Sequence, residues 1–372
     1  MASREEFEAA GLFDPAVDAG TGRLELLEWL DRRGFSVADM VAAHHRSGLG
    51  SLAGDARLGS GDRLPTDLAI AASGLSPHQF EGIATAFGFA PGDTGDFGLT
   101  EAEAVALSIY TGLSDMFSPD EALGFVRVLG SSMARIGEAA VSLFLTDVEG
   151  PLLASRASEL ELAQKVLESV ELLDGFVPML DPVLRRHVLQ AIERGRLAII
   201  DEFERLQYRY AVGFVDLVGF TPISQDMSAQ QLGIFLREFE ATAHDTVTKA
   251  GARLVKLIGD EVMFVAPDAD SACMVARALM SEVATESGHD VLPRGGLAYG
   301  EVLVRGGDYH GAVVNLASRL VDEAVPRELL VTEALAEGSE LLDFEPAGRR
   351  MLKGFAEPVA VWSASFAADP KP

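Results

Sequence analysis

The sequence predicts an all-α region over residues 1–184 and an α+β region over 209–372, joined by a connecting helix at 185–208. Three observations carry that expectation. Apolar residues recur at helical spacing through the first half, punctuated by glycine and proline. After residue 208, short strand-length apolar runs alternate with longer helical ones. Two of the apolar runs, VGFVDLVGFT (212–221) and LVKLIGDEVMF (254–264), are each interrupted by an aspartate, Asp216 and Asp260.

In the first region, LELLEWLDRRG (24–34) has helical spacing and stops at Gly34. Residues 66–89 read as helix, glycine turn, helix. A helix over 119–146 opens on Pro119-Asp120-Glu121, a fitting first turn. Another runs over 156–180 and ends near Pro178, and a long one over 182–207 leads into the second region with no Pro-, Gly- or Ser-rich linker. The glycine-rich stretch 48–61 lacks a preceding strand and a Gly-Lys-Ser/Thr ending, so it reads as a loop rather than a phosphate cradle. In the second region the expected order is strand 210–216, helix 227–249, strands 252–258 and 261–266, helix 268–285, strand 294–300, a short strand near 302 and helix 312–323.

Composition sets outer bounds. The 372 residues are 48% hydrophobic, enough for real cores, and carry a net charge of −27. Such a chain repels nucleic acid and anionic membranes. The second helix of 66–89 has no Lys or Arg, which argues against DNA binding by that helical pair. The single cysteine, Cys273, excludes an internal disulfide and lies in an apolar helical run that favours a buried structural role. The charged N-terminus gives no signal peptide and no apolar stretch reaches 18 residues, so the expectation is a cytoplasmic protein without a membrane span.

The chemistry begins with the two aspartates. A buried carboxylate costs several kcal/mol unless something pairs with it. Two of them at strand ends point to a shared divalent cation, Mg2+ or Mn2+ by the hardness of the oxygens; capping of the strand ends is the plainer alternative. Residues 305–319, RGGDYHGAVVNLASR, add a glycine turn bearing Asp308 and then a helix with Asn315 and Arg319 on one face. An amide and a guanidinium fork so placed can clamp an anion, or form an ordinary surface pair.

In this order, DLVGFT, VKLIGDE and GGDYHGAVVNLASR resemble the class III nucleotidyl cyclases, which make cyclic AMP or cyclic GMP. The resemblance covers about residues 209–366 and includes the tail MLKGFAEPVAVW, similar to the closing strand of those domains. It implies a ferredoxin-like core and two divalent ions per site, held by Asp216, Asp260 and the carbonyl of Leu217. It implies that Lys256 and Asp308 select the purine, that Asn315 and Arg319 stabilise the transition state, and that Lys353 binds the triphosphate. It also implies a head-to-tail homodimer in which the metal aspartates of one subunit face the remaining groups of the other.

Donor and acceptor patterns make ATP the expected substrate. Adenine offers an acceptor at N1 and a donor at its amine, and lysine only donates where ionised aspartate only accepts. A guanylyl cyclase of the family carries Glu in the lysine position and Cys or a similar residue in the aspartate position; this chain does not. GGDYH also departs from the GGDEF-type signature of diguanylate cyclases. The alternatives are a guanylyl cyclase and a silent cyclase fold used for binding. The N-terminal half more weakly resembles the helical regulatory domains of soluble actinobacterial class III cyclases, some of which respond to pH or lipids. That implies a proton, lipid or other small-molecule effector. Of the histidines, His187 on the connecting helix and His310 beside Asp308 are the best placed for a pH effect.

Overall fold

The computed structural model describes residues 2–18, 20–46, 48–59, 63–89, 98–198, 208–286 and 291–365. The chain forms two compact units, Met1–Arg185 and Arg186–Pro372.

The first unit is helical apart from a two-residue antiparallel pairing of Arg63–Leu64 with Leu99–Thr100. In LELLEWL the helical spacing puts Leu26, Leu27 and Leu30 on one face, where they meet Phe7, Met40 and Ala163 in a core. A second core joins Phe80, Ile83, Leu107 and Val126. The helix–turn–helix expected at 66–89 forms as Thr66–Ser73 and Pro77–Phe87. Gly74 turns the chain at φ 68, and Ser76 and Gln79 close a capping box at the next helix start.

Two expectations for this region need correction. Pro178 does not end a helix, and no new helix starts at 182: Glu159–Ala198 is one helix of 40 residues with both Pro178 and Pro182 inside it. Each ring removes a hydrogen bond to the carbonyl four residues back, of Asp174 and Pro178. All three residues are exposed, so the lost bonds lie on the solvent-facing side of the helix rather than in a core. The rest of the expected connecting helix, 199–207, lies outside the described residues. Pro119–Phe144 continues through a π turn, Leu145–Glu149, into Gly150–Ala154. This Pro119–Ala154 run is long and apolar enough, by length and composition, to cross a membrane, and only 6% of its most apolar window is buried. Charges at Arg127, Arg135, Glu138 and Asp147 interrupt the run, so no uncharged stretch within it reaches 18 residues.

In the second unit the elements are β1 (Tyr208–Val218), α1 (Phe220–Asp226), α2 (Ala229–Lys249), β2 (Arg253–Ile258), β3 (Glu261–Ala266), α3 (Ala269–Glu286), β4 (Leu292–Arg305), β5 (Asp308–His310), α4 (Ala312–Glu323), β6 (Glu328–Thr332), α5 (Glu333–Gly338), β7 (Glu345–Arg350) and β8 (Val359–Ser365). The sheet order is β2-β3-β1-β4-β6-β8-β7, with β5 paired on β4. β1 is bonded on both sides, antiparallel to β3 and β4, and the β4–β6 pair is parallel. The strands at 294–300 and near 302 are one strand of 14 residues, and Asp308 opens a short strand rather than sitting within a turn. The short helix α1 and the elements β6, α5 and β7 were not anticipated.

The pleat sorts the side chains. Ala211, Val215 and Leu217 of β1 pack under α2 and α3 with Phe235, Phe239 and Leu279. Tyr210, Val212 and Phe214 face the other way, toward Ala317 and Val321 of α4. By the same alternation Asp216 falls on the α4 side of the sheet. Cys273 is buried in α3, as its apolar surroundings implied, and burial pushes its thiol up to about 11.

Helix α4 lies on bare backbone. A Cβ at Gly296 would come within 2.4 Å of the Val321 nitrogen and 2.5 Å of the Ala317 oxygen. Gly296→Ala should therefore push α4 off the sheet and cost about 1–3 kcal/mol or more, as overpacking does. Urea unfolding checks this; an unchanged midpoint contradicts so close a contact.

Candidate active site

Four carboxylates, Asp216, Asp260, Glu261 and Asp322, gather around the end of β1 with Arg294 beside Asp216 and Arg319 beside Asp322. The register sets Asp216 directly across from Arg294 of β4. Arg294 Nε donates to Asp216 Oδ2 at 2.9 Å, its Nη2 lies 2.7 Å from the same oxygen as an ion pair, and the two side chains are only 24% and 19% exposed. β2 and β3 form a tight hairpin whose register pairs Ile258 with Glu261, so Gly259 and Asp260 are its loop. Gly259 takes φ 64, the positive value that a two-residue turn with glycine first requires.

Burial pushes the Asp260 carboxyl above its ordinary value, and the charge of Asp216 adds to this, while its own backbone N–H and Arg294 pull the other way. Glu261 is raised further, to about 7, first by burial and then by Asp216, Asp322 and Asp260. Burial and neighbouring carboxylates thus act together on Asp260 and Glu261, with Arg294 opposing them. Leu217 follows Asp216 with its side chain in the core, so its backbone is what it can offer the site.

A second group forms where β2 meets the β4–β5 hairpin. Lys256 Nζ donates to Asp308 Oδ2 at 2.7 Å across 52 residues of sequence, with the side chains 42% and 37% exposed. Asp308 Oδ1 accepts from the Tyr309 N–H at 2.8 Å, and Arg253 donates to the Gly307 carbonyl at 2.7 Å, which fixes the turn. Burial alone pushes the Asp308 carboxyl up, but the bonds from Lys256 and Tyr309 with the positive charge beside it leave it below the usual aspartate value. It is an acceptor at neutral pH.

Helix α4 carries Asn315, exposed, and Arg319, half-buried, on one face. Arg319 Nη1 donates to Asp322 Oδ2 at 2.8 Å. Lys353 is exposed between β7 and β8, and among the described residues no recorded hydrogen bond or ion pair joins it to the other site groups. The fold thus joins Asp216 with Asp260 in one cluster and Lys256 with Asp308 in another, and leaves Lys353 apart. Glu261, Arg294 and Asp322 were missed. The signal for Arg294 was a charge set beside apolar, strand-forming residues, the one already applied to the aspartates.

Residues 206–363 match the model of the adenylate and guanylate cyclase catalytic domain. An adenylate cyclase of Streptomyces coelicolor is 36% identical to this chain over 75% of its length and 72% of the relative's. The chain belongs to the class III cyclase family. An uncharacterized protein of Mycobacterium tuberculosis is 35% identical over 95% of this cyclase and 92% of its own length, so the likeness extends to the helical unit. Among solved structures, the adenylyl cyclase CyaB of Pseudomonas aeruginosa is 24% identical, with a TM-score of 0.39, over 44% of this chain and 96% of that one.

The Lys256–Asp308 bond can be read directly in the cyclase. Lys256→Met should raise the titration midpoint of Asp308 toward the ordinary aspartate value, because the donor and its charge are both removed. Carboxyl 13C NMR against pH follows it; an unmoved midpoint would mean that the pair does not form in solution.

Proposed function

We propose that this cyclase converts ATP to 3′,5′-cyclic AMP and pyrophosphate. The observation that carries the reading is the Lys256–Asp308 pair, a donor and an ionised acceptor held side by side at 2.7 Å. That pattern complements adenine N1 and its amine; guanine, with O6 and N1–H, presents the reverse. A base that leaves such groups unmatched is rejected strongly.

The acid cluster fits divalent cations. Its donors are hard oxygens, and its carboxyls are raised first by burial and then by one another's charge. Among the described residues no group of three or more His, Cys, Asp or Glu is placed to hold a metal ion. Asp216, Asp260 and the Leu217 carbonyl would therefore hold two Mg2+ or Mn2+ ions jointly with triphosphate oxygens. When bound, the ions supply Lewis acidity that lowers the ribose 3′-hydroxyl pKa and neutralises the phosphates.

The chain's own residues align and stabilise. Lys256 and Asp308 fix the base. Asn315 orients the ribose through its ring oxygen. Arg319, held by Asp322 until substrate enters, stabilises charge on the α-phosphate. Lys353 adds a positive charge for the triphosphate. A head-to-tail homodimer supplies the two halves of each site from different chains. The helical unit sets the geometry between subunits in response to a proton, lipid or other small effector; a shift of about 1 Å costs roughly 100-fold in rate.

Product analysis with ATP or GTP and Mn2+ tests the activity: cyclic AMP from ATP supports it, and cyclic GMP as the main product or no cyclic nucleotide contradicts it. Asp216→Ala and Arg319→Ala should each be inactive alone. Mixed one to one, they should regain about a quarter of wild-type activity, since half the dimers carry one intact site of two. No recovery from demonstrated heterodimers would place each site within one chain. For regulation, a Gly-Gly-Ser insertion at Arg205 should change the response of the rate to pH or added fatty acid; an identical profile argues for a plain scaffold.

A further inference from the structure

We propose that Arg294 is a positioning residue that aligns both halves of the catalytic apparatus within one chain. It aims Asp216 and fixes the end of the helix bearing Asn315 and Arg319. The inference rests on the cyclase reading and adds a residue to it.

Every nitrogen of the guanidinium is used. Nε and Nη2 hold Asp216 Oδ2. No recorded partner among the described residues takes Oδ1, so the contact orients the carboxylate and leaves one oxygen for a ligand. Nη1 donates to the carbonyls of Asp322 at 2.9 Å and Ala324 at 3.4 Å. These close the C-terminal end of α4, where carbonyls lack partners within the helix and a cation is favoured. Asp322 in turn holds Arg319 through its carboxylate at 2.8 Å. The series Asp216, Arg294, Asp322, Arg319 thus runs from a metal-binding aspartate to the transition-state arginine.

The register makes this rigid. Asp216 and Arg294 are direct cross-strand neighbours, so a one-residue slip would turn both to opposite faces. Gly296, two residues on and on the same face, lets α4 descend to the reach of Nη1. A lysine there could balance the Asp216 charge, but could not hold a carboxylate and two carbonyls through a planar fork. In a head-to-tail dimer, Asp216 and Arg319 of one chain serve different sites, so Arg294 also fixes one site against the other.

The test compares Arg294→Lys and Arg294→Gln in the full chain. Three quantities are read: kcat and KM for ATP, Mn2+ bound in the presence of 3′-deoxy-ATP by electron paramagnetic resonance, and the urea midpoint. Positioning predicts that both variants lose about 10–100-fold in kcat, as expected for groups that orient metal ligands. KM should stay within about threefold, because the base-reading pair is untouched. Mn2+ should bind Arg294→Lys as it binds wild type and Arg294→Gln at least as tightly, since a competing positive charge is gone. A near-native kcat in Arg294→Lys overturns the proposal, showing that charge alone suffices. So does a parallel fall of kcat, Mn2+ affinity and urea midpoint, the mark of a structural ion pair. A wild type that makes no cyclic nucleotide removes the cyclase reading beneath it; an active wild type with unaffected variants removes only the role of Arg294.

Discussion

The catalytic unit is organised around a carboxylate on an interior strand of its sheet. β1 is hydrogen-bonded on both edges and uncharged from Tyr210 to Val215, up to Asp216. An unpaired carboxylate in such a place costs several kcal/mol. The fold meets that constraint with Arg294 across the pair, and the placement of Arg294 calls for further features. β4 must continue β1's register to its end, and α4 must sit low enough on the sheet to present its terminal carbonyls. Bare backbone at Gly296 permits the second. The tight turn at Gly259 then brings Asp260 and Glu261 to the same place, where burial and then neighbouring carboxylates raise both.

The two clusters differ in a way that suits their proposed tasks. The acid cluster is half-buried and electrostatically incomplete, so added positive charge relieves it. The Lys256–Asp308 pair is self-neutral and over a third exposed, and a pair of that exposure contributes only about 0–1 kcal/mol. Parting it to admit a base edge therefore costs little. A pair buried as deeply as Asp216–Arg294 would resist that exchange, and its depth suits a fixed scaffold instead.

Much of this was legible in the sequence because it is local. β1, β2, β3, α2, α3 and α4 follow from apolar runs whose period declares strand or helix, and the aspartates stand out against them. β4 was split between 300 and 302, where Gly300 and Glu301 interrupt its apolar pattern, yet Gly300 is where Val313 of α4 comes close. β6 and the short helices were too brief to show a period. Pro178 misled because proline's cost depends on whether water reaches the carbonyls it strands, which is a property of the surface. The Asp216–Arg294 pairing, 78 residues apart, depends on register and cannot be read from spacing.

The central claim is that Lys256 and Asp308 read the purine. The direct measurement is the ratio of cyclic AMP to cyclic GMP formed from equal ATP and GTP with Mn2+, for wild type and for Lys256→Glu with Asp308→Cys. Wild type should make cyclic AMP almost alone. The double variant should lose most ATP cyclisation and shift its ratio toward cyclic GMP, because donor and acceptor roles are exchanged. A folded double variant that keeps the wild-type preference for ATP would contradict the account, since the base would then be read elsewhere.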